Sequence, residues 1–393
     1  MRKTSATLGL VAVTGVLLSG CSAAGGDSGS GGTEPILIAQ VGDYSGDFSF
    51  YDVPFRDGMQ IAVDEVNAAG GVNGQQLEFM TIDGRGDQAE SVRGVEEALD
   101  AGAVYISGTT ASGAWQAQAA VACDEGVPIT TGDGSSPTLV LDAGDCAYHV
   151  LMLDTLQGAV GAEYALDQGY ENAYVLLSSD DAYTAGLGAY FADAFAEGGG
   201  TVLAEEEFRI GASDYSVQVT NIAAQNPTPD VIYLSMFTPD TPQFLRQLRA
   251  SGIDAPVISG DGSVDASVLE AGAAAEGLVA TFHAWPSEGN ETSSFLETNF
   301  PEADISSAPQ NIVSAAGYDE VMIMVQAMEA AGEATPAAIM EALDGLEYTG
   351  VTGSLTIDPE TRQANKEVTL IGVTDGQYVY IDRFVPSYVP TVR

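Results

Sequence analysis

Side chains that could do covalent or proton chemistry are few in this chain, and they stand apart. His149 and His283 are the only imidazoles, and Lys366 is the only lysine beyond the N-terminus. A Schiff-base lysine, a phosphate loop ending in Gly-Lys-Ser/Thr, a Ser-Lys pair and a histidine-rich metal site are therefore excluded or nearly so. No His-Glu-x-x-His and no Gly-x-Ser-x-Gly occurs. Asp83-Gly84-Arg85-Gly86-Asp87 lacks the acid spacing of a calcium loop and reads as a surface turn. Adjacent acids such as Asp180-Asp181 could serve a hydrolase. On a chain with 56 acidic and 12 basic residues, a net charge of −44, such pairs are expected on any solvated face. That charge also argues against nucleic acid or an anionic membrane surface as partner. The chemistry on offer is recognition, by hydroxyls, glycines, acids and aromatics in short segments. These are 42–46 (Gly-Asp-Tyr-Ser-Gly), 108–113, 131–136, 178–183 and 260–262.

Each of those segments follows a strand pattern. The apolar run at 36–41 reads as a strand buried on both faces, 77–82, 104–107 and 127–130 read as the next strands, and helical spacing marks 53–69, 88–101 and 114–125 between them. The rhythm restarts with helices at 157–168, 185–197, 214–225 and 240–251 and strands at 174–177, 202–208, 231–234, 257–259 and 278–282. Two long helices, about 311–331 and 335–344, precede short strands around turns from 351 to 384. Alternation of this kind predicts α/β architecture: two halves of similar layout with mostly parallel sheets, whose ligands collect beyond the carboxyl ends of the strands. The 45% hydrophobic content supplies the core such halves need.

The first residues read as an address. Met1-Arg2-Lys3 is a positive start, and Leu8 to Leu18 is an apolar or small run too short to span a bilayer. Leu18-Ser19-Gly20-Cys21 looks like a bacterial lipobox, which implies a signal peptide over 1–20 and a lipid on Cys21. Residues 21–33 then form a Ser/Gly-rich tether. The protein is expected outside the cytoplasm, held at the membrane by lipid only. With Cys21 so used, Cys123 and Cys146 are expected to pair as a disulfide.

Two stretches carry a family resemblance. Ile38-Ala39-Gln40-Val41-Gly42-Asp43-Tyr44-Ser45-Gly46 is one. The other is the helix from Gly58 that ends Asn67-Ala68-Ala69-Gly70-Gly71-Val72-Asn73-Gly74, with Gly353-Ser354-Leu355-Thr356-Ile357-Asp358 as a looser third match. With these, residues 35–381 resemble the leucine/isoleucine/valine-binding receptors of branched-chain amino acid ABC transporters. The resemblance implies the type I periplasmic binding protein fold, a Venus-flytrap of two doubly wound lobes joined by a hinge of crossovers. Residues 35–152 with about 283–345 would build lobe 1, and 153–282 with about 346–385 lobe 2.

The resemblance also implies the site. Ser112 and nearby N–H groups would hold a ligand carboxylate, or Ser112 would simply cap the helix expected at 114–125. Asp133, Gly134 and Ser135 match a ligand loop, although Asp133 stands where a small uncharged residue is usual. Asp261 matches the acid that meets the ligand ammonium, and Tyr51, Trp115, Tyr183 and Phe237 match the walls of the side-chain pocket. The expected role is non-enzymatic and cofactor-free. A monomer would capture a small amino acid and deliver it to an ABC permease. An amide, urea, an aromatic acid or a cationic metabolite is the alternative ligand, and a lipid-anchored hydrolase the alternative of another class.

Overall fold

The computed structural model describes residues 34–305 and 309–392. The expected signal peptide, tether and lipidated Cys21 lie outside the described residues. From residue 34 the chain runs β1 (Ile36–Gly42), α1 (Ser49–Ala68), β2 (Leu77–Asp83), α2 (Gln88–Asp100), β3 (Tyr105–Ser107), α3 (Ser112–Asp124), β4 (Ile129–Thr130), α4 (Thr138–Ala143) and β5 (Ala147–Tyr148). These strands form one parallel sheet in the order β2-β1-β3-β4-β5. Order reverses about β1, so the loops after β1 and β3 flank a switch point, where parallel sheets open a crevice. Apolar residues on both sheet faces explain the coverage by helices. Ile38 and Tyr105 join the large core with Phe55, Met59 and Ala62 of α1, while Ala39, Val41 and Ile106 pack with Val95 of α2 and Ala119 of α3.

The second run is α5 (Asp154–Asp167), β6 (Asn172–Leu177), α6 (Ala182–Glu197), β7 (Thr201–Glu207), α7 (Ser216–Ala223), β8 (Val231–Leu234), α8 (Asp240–Ala250), β9 (Val257–Ser259), α9 (Ala266–Leu269) and β10 (Leu278–Phe282). Its sheet has the order β15-β14-β10-β9-β8-β6-β7, with a second reversal at β6. The last two members are β14 (Val368–Thr374) and β15 (Gln377–Phe384), which pair antiparallel at the β10 edge. Between them and β10 come α10 (Glu291–Asn299), α11 (Val313–Ala331), α12 (Pro336–Leu343) and a small antiparallel sheet of β11 (Glu347–Gly350), β12 (Gly353–Ile357) and β13 (Ala364–Lys366). α11 returns to the first sheet and packs against α1 with backbone touching backbone. A Cβ on Gly58 would stand 1.8 Å from Ser314 O, and one on Gly317 2.0 Å from Phe55 O.

The long elements fall where their periodicity puts them. α1 differs: it begins at Ser49 and contains Pro54, whereas the spacing predicts a start at 53. Tertiary contacts outweigh the proline, because the Asp52 carboxylate accepts hydrogen bonds from Asp43 N at 2.6 Å and Thr109 Oγ1 at 2.7 Å. The short elements α4, β5, α9 and α10 lack a readable period and were not expected. Cys123 and Cys146 are disulfide-bonded, as expected, with Cα atoms 5.3 Å apart. The bond closes a sequence separation of 23 residues, which constrains the unfolded chain by about 3 kcal/mol. No described helix is long and apolar enough to cross a membrane.

Candidate ligand-binding site

The loops at both reversals, with those after β4 and β9, converge on one small, tightly lined pocket. Phe48, Tyr51, Thr110, Ser112, Asp133, Gly134 and Ser135 line it from the five-stranded sheet's loops, and Asp181, Tyr183, Phe237, Asp261 and Gly262 from the seven-stranded sheet's. Eight of the nine residues expected from the sequence are therefore brought together. The ninth, Trp115, is a correction. It is fully buried in the core, with its indole N–H donating to Thr130 O at 2.6 Å. Gly108 makes this possible, since a Cβ there would lie 2.3 Å from Trp115 Cδ1. The pocket does not include it.

Ser112 is also placed differently from the capping alternative. α3 begins at Ser112 itself, and the cap residue is Ala111, which makes no side-chain capping bond. The Ser112 hydroxyl is thus not spent on capping. The first N–H groups of α3 carry the partial positive charge of a helix start beside Thr110 and Ser112. This corner is held by Asp52, which sequence reasoning passed over. Burial pushes its carboxyl up to about 6 against the bonds from Asp43, Thr109 and Thr110 that favour the ion. A charged residue on the buried stripe of α1 was the available signal.

The opposite wall is built around Asp261. Its Oδ1 accepts from Tyr183 Oη at 2.8 Å and from Gly262 N at 2.9 Å, while its own N–H donates to Gln157 Oε1 at 3.1 Å. Burial, then Asp133, raise its pKa, while His283, Tyr183 and Gln157 lower it. Gly260 and Gly262 let the backbone come this close: a Cβ would meet Tyr183 Oη at 2.6 Å and 2.9 Å respectively. Asp181 caps α6 by accepting from Tyr183 N at 2.9 Å, and burial raises its pKa against these cap bonds.

Aromatic rings close the remaining sides. Tyr183 and Phe237 stack at 4.8 Å, and Phe48 meets Phe237 edge-on at 6.1 Å. Phe48 was missed, although the run Phe48-Ser49-Phe50-Tyr51 at the β1 loop was a visible signal. Tyr51 is buried and its hydroxyl has no protein partner.

Asp133 is not solvated. It meets His283 Nε2 at 2.9 Å with both side chains buried. Next to this loop, Asp154 N donates to Ser135 O at 2.9 Å, and burial followed by Asp261 holds the Asp154 carboxyl well above the usual carboxylate range. The pocket offers hydroxyls and a helix start with Asp133 beside them on one side, Asp181 and Asp261 on the other, and rings between. It can hold a small zwitterion by both ends.

A family model described as periplasmic binding protein matches residues 35–377. The leucine-, isoleucine-, valine-, threonine- and alanine-binding protein of Pseudomonas aeruginosa is 25% identical over 359 residues, covering 90% of this chain and 94% of that protein. The Leu/Ile/Val-binding protein of Escherichia coli K12 is 28% identical over 266 residues, covering 67% of this chain and 72% of that protein. The crystal structure of a leucine-binding protein from Thermotoga maritima matches with a TM-score of 0.79 at 27% identity, covering 89% of this chain and 99% of that one.

Proposed function

The chain belongs to the periplasmic binding protein family, and from that premise we propose that it is the extracytoplasmic receptor of an ABC importer for a small α-amino acid. In this reading the ligand carboxylate lies at the start of α3, against Thr110, Ser112 and Ser135. Its ammonium faces Asp261, whose anion Tyr183 and Gly262 already orient. Its side chain lies among Phe48, Tyr51 and Phe237. No bond is made or broken, so affinity comes from burying a preorganised ion at each end. The two groups of strands act as the lobes, 35–152 with about 283–345 and 153–282 with about 346–385, which hinge shut on the ligand. Cys21 carries the lipid that keeps the receptor beside its permease, and the receptor works as a monomer.

The observation that carries this reading is the meeting, in one pocket, of an uncapped helix start from one sheet and an oriented carboxylate from the other. A thermal-unfolding screen with leucine, isoleucine, valine, threonine, alanine and phenylalanine tests it. An amino acid at a hundred times its dissociation constant stabilises the fold by about 2.7 kcal/mol, and a flat response to all of them would refute the reading. A second reading is favoured by one observation: Asp133, Asp181 and Asp261 surround the pocket with His283 as the imidazole among them. A cationic solute would complement that excess. Lysine, arginine and choline in the same screen separate the two readings.

A further inference from the structure

His283 follows β10 directly and stands outside the pocket lining, yet it touches the acids on both of its sides. Its Nε2 is 2.9 Å from Asp133 Oδ1 and 3.9 Å from Asp261 Oδ2, and the three side chains are 2%, 2% and 8% exposed. Asp133 belongs to the loop after β4 of the five-stranded sheet, and Asp261 to the loop after β9 of the seven-stranded sheet. One ring thus connects the loops of two separate sheets at the pocket wall. We propose that His283, as an imidazolium, is a positioning residue: it holds Asp133 and Asp261 in place across the gap between the sheets, and so makes ligand affinity depend on pH.

The nearness of the Asp133 carboxylate, after burial, raises Asp261. A cation between them reverses that pressure. Glu320 lies within electrostatic reach of Asp133 and Asp154 within reach of Asp261, while His149 and Lys366 act on the ring itself. His149 is kept neutral because burial pulls it down to about 4. Lys366 repels the ring, but its ammonium is fixed on Thr352 O at 2.9 Å and Thr352 Oγ1 at 2.8 Å. Phe282 presents a ring edge at 5.5 Å. Nδ1 of His283 has no protein partner, so its charge answers to the two carboxylates. Burial alone would lower its pKa, but Asp133 and then Asp261 outweigh burial and raise it. With Nε2 deprotonated, Asp133 would lose its counter-charge and the tie between the two loops would slacken, so the wall that orients Asp261 would hold an ammonium less well.

The test has two arms, of which only the second rests on the amino-acid reading. The chain holds 2 histidines, so proton NMR of the intact protein resolves two imidazoles, assigned with His149→Gln. His283 is expected to titrate above the ordinary value of about 6.5 and to move back toward it in Asp133→Asn. Titration at or below the ordinary value, or no movement in Asp133→Asn, overturns the proposal whatever the ligand proves to be. The second arm is calorimetry with L-leucine across roughly pH 5 to 9, spanning the imidazole range. Affinity should decline above the His283 titration in the wild type. His283→Gln should weaken binding at the acid end about tenfold and abolish that alkaline decline. An alkaline decline that survives in His283→Gln refutes the positioning role. Absence of any leucine binding by the wild type counts against the amino-acid reading, and the NMR arm then decides the proposal alone.

Discussion

Asp261 and Trp115 show how differently two residues beside the same crevice should behave. Asp261 offers a buried carboxylate that Tyr183 and Gly262 already orient. Asp261→Asn keeps the shape and removes the charge, so a zwitterionic ligand should lose about 1.5–3 kcal/mol of binding, roughly tenfold to a hundredfold in affinity. Trp115 should do the reverse. Trp115→Phe removes the indole N–H from Thr130 O and leaves a small void, destabilising by about 1–3 kcal/mol with ligand affinity unchanged. Calorimetry and urea unfolding on both variants check the contrast. It also marks what the sequence could say about the site. Asp261, Tyr183, Ser112 and the 133–135 loop sit at strand ends or helix starts, where parallel-sheet topology alone sends them to a crevice. Trp115 lies three residues past Ser112, and which way it turns depends on the space left by Gly108 in a different segment. His283 was visible as a rare imidazole, but its partners lie 150 and 22 positions earlier in the chain, and no local pattern links them.

At the scale of elements, the crossing of α1 and α11 fixes how the returning helix seats on the first sheet. Gly58 and Gly317 permit the backbones to touch, with hypothetical Cβ atoms 1.8 and 2.0 Å from carbonyl oxygens. Backbone cannot move aside as a flexible side chain can. Gly58→Ala should therefore cost about 3 kcal/mol or more, the upper range of overpacking. Gly113, in the first turn of α3, is the matched control: a Cβ there meets nothing within 4 Å. Gly113→Ala should stabilise by about 0.5–1 kcal/mol by restricting the unfolded chain. Denaturant midpoints at constant slope check both signs. The existence of α1 and α11 was readable from their apolar period, as were β6, β8, β9 and β10. Their tight crossing was not, because a lone glycine in a helix pattern looks the same whether it faces solvent or another backbone. The early start of α1 was hidden for a related reason. Pro54 signals a boundary locally, and the bonds that overrule it come from Asp43, Thr109 and Thr110, far from it in space only when the chain is unfolded.

For the molecule as a whole, the sequence charge of −44 and the buried acids act in the same direction. Burial pushes Asp52 up to about 6 and Glu320 up to about 7, the latter against the hydrogen bond it accepts from Tyr105 Oη. A carboxyl whose folded pKa lies above its unfolded value binds its proton more tightly in the fold. Its stabilisation is complete below about pH 4 and is lost as the pH climbs through the folded value. His283, also raised, adds stability below about 6.5 that disappears as its folded pKa is passed. His149 opposes them: lowered to about 4, it costs stability as the pH falls from its unfolded value toward that point. The acids and His283 outnumber it, so unfolding free energy should rise by about 1–3 kcal/mol between pH 8 and pH 5.5. Surface repulsion falls over the same interval, and salt screens what remains, with a Debye length of about 3 Å at 1 M. The salt gain should therefore be larger at pH 8 than at pH 5.5, as expected of a surface adapted to salt. Urea unfolding at both pH values, in low and in 1 M salt, measures this directly. Glu320→Gln should flatten the pH dependence by removing one of its largest contributors while leaving the salt response in place. A stability that rises from pH 5.5 to pH 8 would mean that His149, and not the buried carboxyls, governs the proton balance of the fold.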